Sequence, residues 1–195
     1  MAGSQSRTSG SRRAVAAAIT AVVTILAAGI PGSALGDIVP ASADAGTFTF
    51  PDGITLTVAP GWTISCTGKT WVCVEKPGSG SIVEFSVGDA HAANITDDFA
   101  AGSNLTINVN GLTRVLQEPP SAITTVQGKN FTQTIEATYT ADRQTNQGTR
   151  RQYGLWIDLF NASTHTACFV NLGGISADAV QAAVPDTNRM VNSIL

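Results

Sequence analysis

Arg150-Arg151-Gln152-Tyr153-Gly154-Leu155-Trp156-Ile157-Asp158-Leu159-Phe160 decides the fold, because Tyr153, Leu155, Ile157 and Leu159 fall at every second position. A period of two sends successive side chains to opposite faces, so the stretch reads as a β-strand with one apolar face. The pattern continues on both sides. Phe131 to Thr140 before it and Thr166 to Leu172 after it read as strands joined through polar turns, and Ala122 to Val126 as a shorter one. Further upstream, Ile82 to Val87 places Val83, Phe85 and Val87 on one face. At the start of the pattern, Phe48 and Phe50 lead through Pro51-Asp52-Gly53 to Ile54, Leu56 and Val58, a hairpin with a turn-forming centre. Pro60-Gly61 then turns the chain toward Trp62 and Ile64, which pair with Trp71 to Glu75 across Thr67-Gly68-Lys69-Thr70. Pro77 to Ser81 reads as a flexible connector.

Two segments depart from alternation. Between Asp89 and Asn104 the sequence predicts one capped helical turn beginning at Thr96, after which Leu105, Ile107 and Val109 read as a strand again. Asn110-Gly111 then serves as a hairpin turn into Leu112 to Leu116, and Pro119-Pro120 ends the unit. After Gly173-Gly174 the spacing becomes helical, with Ser176 or Asp178 near the cap and Val180, Val184, Val191 and Ile194 in one stripe. Pro185 lies inside that stripe and predicts a kink or break near Val184. The expected fold class is α+β: an antiparallel sheet of hairpins packed by a C-terminal helix.

Composition sets the boundaries of this reading. The chain has 195 residues, 43% apolar and 13% charged, which suits one core-forming domain and excludes a disordered tail. A net charge of −3 argues against a nucleic-acid binder, which normally carries a clustered basic surface. At the N-terminus, Arg7, Arg12 and Arg13 precede the apolar run Ala14 to Ile30, which stops at Pro31-Gly32. The run is shorter than the ~20 apolar residues of a spanning helix and matches a cleaved signal peptide. Residues 1–43 are therefore set apart from a single secreted domain over 44–195, with cleavage after Gly36 or after Ala43. Ser11-Arg12-Arg13 also partly matches a twin-arginine export motif, so both export routes stay open. The cysteines are Cys66, Cys73 and Cys168, so none stands just after the run for lipid attachment, and no transmembrane helix is expected in the mature form.

Three pieces of the mature chain carry a family likeness. They are Gly46 to Val58 running into Ala59-Pro60-Gly61-Trp62, the long hairpin from Val126-Gln127-Gly128 through Tyr139 and Tyr153 to Phe169, and the terminal Arg189-Met190-Val191-Asn192-Ser193-Ile194. In this order they resemble the PsbP-like and Mog-like superfamily, including the LpqN-type secreted proteins of actinobacteria. The resemblance implies an antiparallel sheet backed by helices in a family of mostly non-catalytic binding or assembly proteins, and it carries no catalytic residues over. The chain departs from the lipoprotein members in having no lipidated Cys.

The remaining candidates follow from side-chain chemistry. Three cysteines in an exported chain allow one disulfide. If the turn between them has four residues, Gly68 to Trp71, Cys66 and Cys73 face each other, and closing so short a loop is worth about 2 kcal/mol. A bond from either to Cys168 is the rival; Cys168 otherwise reads as a small buried hydrophobe. His91 and His165 are the only histidines, which restricts chemistry needing a base near neutral pH. Asp89, His91, Asp97 and Asp98 share a loop with the composition of a metal site, but a polar loop with a helix cap accounts for it, and neither metal nor cofactor is expected. Nucleophile-elbow and phosphate-loop patterns do not occur. Asp142 to Gln152 gathers Arg143, Arg150 and Arg151, three of the five arginines of the mature chain, at a hairpin tip in an acidic protein. The functional expectation is a secreted or envelope-associated, non-catalytic protein that binds an unknown protein or an anionic envelope component there. The alternative is a small secreted hydrolase or a small-molecule or lipid carrier with its site near the Asp89–Asp98 loop.

Overall fold

The computed structural model describes residues 46–195, so the proposed signal segment and its cleavage sites lie outside the described residues. Two short strands, β1 (Thr47–Thr49) and β2 (Thr55–Thr57), form a separate hairpin. There follow β3 (Thr63–Thr67), β4 (Trp71–Lys76), β5 (Ser81–Asp89), α1 (Ile95–Val109), β6 (Leu112–Gln117), β7 (Thr124–Thr125), β8 (Gln133–Thr145), β9 (Gly148–Asn161), β10 (Thr166–Gly174) and α2 (Ala177–Ile194). The large sheet is antiparallel and ordered β3-β4-β5-β10-β9-β8-β6, with β7 also paired to β8.

Alternation along the strands sorts the core into two layers. One face carries Val72, Val74, Val83, Phe85, Val87, Leu155, Ile157, Leu159, Val170 and Leu172, covered by α2 and by the β1–β2 hairpin with its following loop. The other carries Ile135, Ala137, Tyr139, Trp156 and Phe160, covered by Ile95 and Phe99 of α1. Each large apolar side chain removed from water in this way contributes about 1.5–3 kcal/mol. The turn after β2 closes through the Trp62 amide, which donates to the Ala59 carbonyl at 3.1 Å, and drops the fully buried Trp62 against α2. There its indole N–H donates to Asp186 at 3.0 Å, and Lys76 holds the same carboxylate at 3.0 Å. This polar clasp ties the hairpin region, the sheet and the C-terminal helix together. Burial raises the Asp186 carboxyl, yet the Trp62 and Lys76 donors outweigh it and hold the group below its ordinary range.

Two expectations from the sequence are corrected. The single helical turn at Thr96 is a 15-residue helix capped by Asn94, whose side chain accepts from the Asp97 amide, and Leu105, Ile107 and Val109 belong to that helix. Its buried residues Ile95, Phe99, Gly102, Ser103 and Thr106 recur at helical spacing, while Leu105 and Val109 are exposed, the reverse of what a core strand needs. Asn110-Gly111 is the helix terminus: Gly111 takes φ +59°, a left-handed conformation that both a helix end and a tight hairpin turn demand. The second correction concerns the break expected at Pro185: a single 18-residue helix capped by Ser176 runs through that position. Pro185 lies on the exposed side, so its missing N–H leaves no donor-less carbonyl facing the core, and the buried residues before and after it pack on one continuous core.

Candidate functional site

The β8–β9 hairpin outruns the sheet. Its strands stay paired to Thr145 and Gly148, leaving Asn146-Gln147 as the connection, whereas β10 stops at the pair Gly174 with Tyr153. The first residues of β9 therefore have no neighbour on the β10 side. A groove of about 390 Å³ lies there, between the hairpin arm, Gly80 and Ile82 at the start of β5, and Gly173, Gly174 and Ile175 at the end of β10.

Strand alternation divides the three arginines of this hairpin. Arg143 and Arg150 are direct cross-strand partners, so two exposed cations stand side by side on the groove. Like charges in that relation repel and destabilise a ladder. Arg143 makes no ion pair or side-chain hydrogen bond among the described residues, and Arg150 donates only to the neutral Gln147. Arg151, which also borders the groove, is engaged elsewhere. It pairs across the ladder with Asp142, whose carboxylate it reaches at 3.1 Å, and donates a second bond to Thr140. Arg114 completes this cluster on the buried Asp142 carboxylate. The Arg151 hydrogen bond, with help from Arg114, holds the Asp142 carboxyl below its ordinary range against the opposing effect of burial.

Gln152, which lines the groove, is held from beneath by buried residues that charge counting alone overlooks. The Gln152 amide nitrogen donates to the Tyr139 hydroxyl at 2.8 Å, that hydroxyl donates to Asn171 Oδ1 at 2.8 Å, and the Trp156 indole N–H reaches the same oxygen at 3.2 Å. Tyr139 stacks on Trp156 with ring centroids 4.1 Å apart. A side chain at Gly173 would place its Cβ 2.8 Å from the Gln152 nitrogen, so this position must stay bare for the chain of bonds to form. The sequence signal was Gln152 at the parity of Trp156 and Phe160 and Asn171 at that of Ala167 and Phe169, polar side chains on an apolar face that ask for buried partners.

The Asp89–Asp98 loop has a structural role. Asp98, 1% exposed, accepts from the backbone amides of His91 and Ala92, and Asp97 is bound by the capping Asn94. Among the described residues no group of three or more His, Cys, Asp or Glu is placed to hold a metal ion. Beneath α1, Asp98 meets the fully buried Asp158. Neither Asp158 oxygen receives a donor. Burial and the neighbouring Asp98 push the Asp158 carboxyl up to about 9, so it keeps its proton at neutral pH.

Cys66 and Cys73 are register partners on β3 and β4 and form the disulfide, with Cα atoms 4.9 Å apart. Cys168 is a free, buried thiol in the α2-side core, and burial raises its pKa.

This architecture, a long-hairpin antiparallel sheet with α2 on one face and α1 on the other, is the Mog1/PsbP-like α+β fold. The chain is similar to the Saccharomyces cerevisiae Ran-binding protein Mog1p, with 11% identity over 78% of this chain and 95% of that one and a TM-score of 0.52. A point mutant of Mog1 gives 9% identity over 77% and 93% with a TM-score of 0.49, and the Pseudomonas aeruginosa protein of unknown function PA94 gives 11% over 78% and 96% with 0.45. At such identities the likeness concerns the fold. No family model and no curated protein matches the chain. Among the described residues no helix is long and apolar enough to cross a membrane.

Proposed function

We propose that the chain is an exported, envelope-associated binding protein of the LpqN type, which holds an anionic envelope component through Arg143 and Arg150 and performs no catalysis on it. The observation that carries this reading is the pair of uncommitted arginines set directly opposite each other on a groove, in a chain of net charge −3. A repulsive juxtaposition of this kind is relieved when an anion sits between the two guanidiniums, which bind carboxylates and phosphates bidentately. The Arg-led apolar run before residue 44 supports export, and the oxidised Cys66–Cys73 pair suits an oxidising compartment. The known binding role of the Mog1p neighbour is compatible with a binding function on this fold.

The test is co-sedimentation of the purified protein with isolated cell envelopes at low and high salt. The native protein pellets at low salt and is released at high salt, because exposed charges are screened over a Debye length of about 8 Å at physiological ionic strength. The Arg143→Glu/Arg150→Glu variant stays in the supernatant. Unchanged pelleting of that variant at low salt overturns the reading. For export, N-terminal sequencing of secreted protein begins at Asp37 or Asp44, and an intact Met1 to Ile30 in membranes refutes it.

A further inference from the structure

The direction of every hydrogen bond beneath the groove is set by one residue. Trp156 has an indole N–H and no acceptor, so the Asn171 atom it reaches at 3.2 Å must be the carbonyl oxygen. Tyr139 lies 2.8 Å from that same oxygen and therefore has to donate its only proton to it. Burial raises the Tyr139 phenol well above its ordinary range, which keeps that proton in place. Having spent its proton, the hydroxyl can only accept from Gln152, so the Gln152 atom at 2.8 Å is the amide nitrogen. The amide orientation of Gln152 is thus fixed from Trp156 through two intermediates. Its carbonyl oxygen is left without a partner among the described residues and belongs to a side chain that lines the groove beside Arg143 and Arg150.

A groove with two cations and one oriented acceptor selects for composite chemistry. An anion alone satisfies the arginines and leaves the acceptor to water. An anion bearing a hydroxyl next to its charge satisfies both. We propose that the groove takes a hydroxylated anion, a sugar carboxylate or sugar phosphate unit of an anionic glycan, whose charged oxygens lie on Arg143 and Arg150 and whose hydroxyl donates to Gln152 Oε1. This rests on the anion-binding reading above and adds a specificity residue, Gln152, with Tyr139 as the residue that positions it.

The experiment compares two fluorescein-labelled polyanions by anisotropy titration of the purified protein: polygalacturonate, which has hydroxyls beside each carboxylate, and polyacrylate, which has carboxylates alone. The readout is the ratio of the two affinities within each variant, so differences in polymer stiffness cancel. Gln152→Met removes the acceptor and lowers the ratio about fivefold, the worth of one neutral hydrogen bond. Tyr139→Phe leaves Gln152 and both arginines in place but frees the amide to rotate, and it lowers the ratio in the same direction. Should Gln152→Met fail to fold, Tyr139→Phe carries the test. An unchanged ratio in the folded variants overturns the specificity inference while the cation site stands. Undiminished binding of both polymers by Arg143→Glu/Arg150→Glu, or no binding of either by the native protein, overturns the anion reading itself.

Discussion

Asp158→Asn is expected to stabilise this protein, and by more as the pH rises. Asp158 is fully buried, neither of its oxygens receives a donor, and its carboxyl titrates near 9 against an ordinary value of 3.8. The folded pKa lies above the unfolded one, so between them the unfolded chain releases a proton that the folded chain keeps. Stability therefore falls with rising pH across the window from about 4 to about 9, by about 1.4 kcal/mol per pH unit, and is flat outside it. The cost accumulated by pH 7 is up to about 4 kcal/mol, and at pH 5 between about 1 and 2 kcal/mol. Asparagine keeps the shape, carries no charge beside Asp98, and does not titrate. Urea unfolding of both proteins at pH 5, 7 and 9 isolates this carboxyl pair, because titrations elsewhere cancel in the difference. The stability gap should widen at each step. Parallel curves, with a gap that is the same at pH 5 and pH 9, would refute the protonated carboxyl pair beneath α1.

Three further outcomes follow from the same structure. Replacing Cys66 and Cys73 together by Ser should cost about 2–2.5 kcal/mol from the short closed loop, read as a drop in Tm of about 5–10 °C, and a reducing agent should bring the native protein to the same Tm. Arg151→Glu should lower Tm because it sets a second negative charge against the buried Asp142, whereas Arg143→Glu/Arg150→Glu should shift stability by less than ~0.5 kcal/mol; equal effects would argue against the division of the three arginines. Asp186→Ala leaves the Trp62 indole N–H without its acceptor in the core and should cost about 1–3 kcal/mol at neutral pH. Because Asp186 is held below its ordinary range, its contribution is present above about 4 and lost as the pH falls through its folded value, so the deficit of the variant should shrink in acid.

Much of the sheet could be read directly from side-chain order. Tyr153, Leu155, Ile157 and Leu159 share a face because pleating alone dictates it, and the Pro51-Asp52-Gly53 and Pro60-Gly61 turns follow from residues with restricted or unusually free backbones. The Cys66–Cys73 pairing was legible for the same local reason, since a four-residue turn leaves only one register. The failures occurred where a local signal has two meanings. Leu105, Ile107 and Val109 alternate as a strand does, and Asn110-Gly111 suits a hairpin as well as a helix end; what chose the helix was the fit of Ile95, Phe99 and Thr106 against the sheet. Pro185 broke no helix: it falls on the exposed side, and the buried residues before and after it pack on the same core.

The candidate site divides along the same line. Composition alone located a cluster of cations at the hairpin tip, because charge and turn residues are properties of the chain. Which of them remain uncommitted depended on register: the connection at Asn146-Gln147 sets Arg143 beside Arg150 and Arg151 beside Asp142. Gln152 entered the site only because β9, β8 and β10 bring Tyr139, Asn171 and Trp156 beneath it, three residues far apart in sequence whose hydrogen bonds orient one amide. Periodicity and turn chemistry are short-range and can be read from sequence, whereas the direction of a hydrogen bond depends on atoms that only the folded sheet brings within reach.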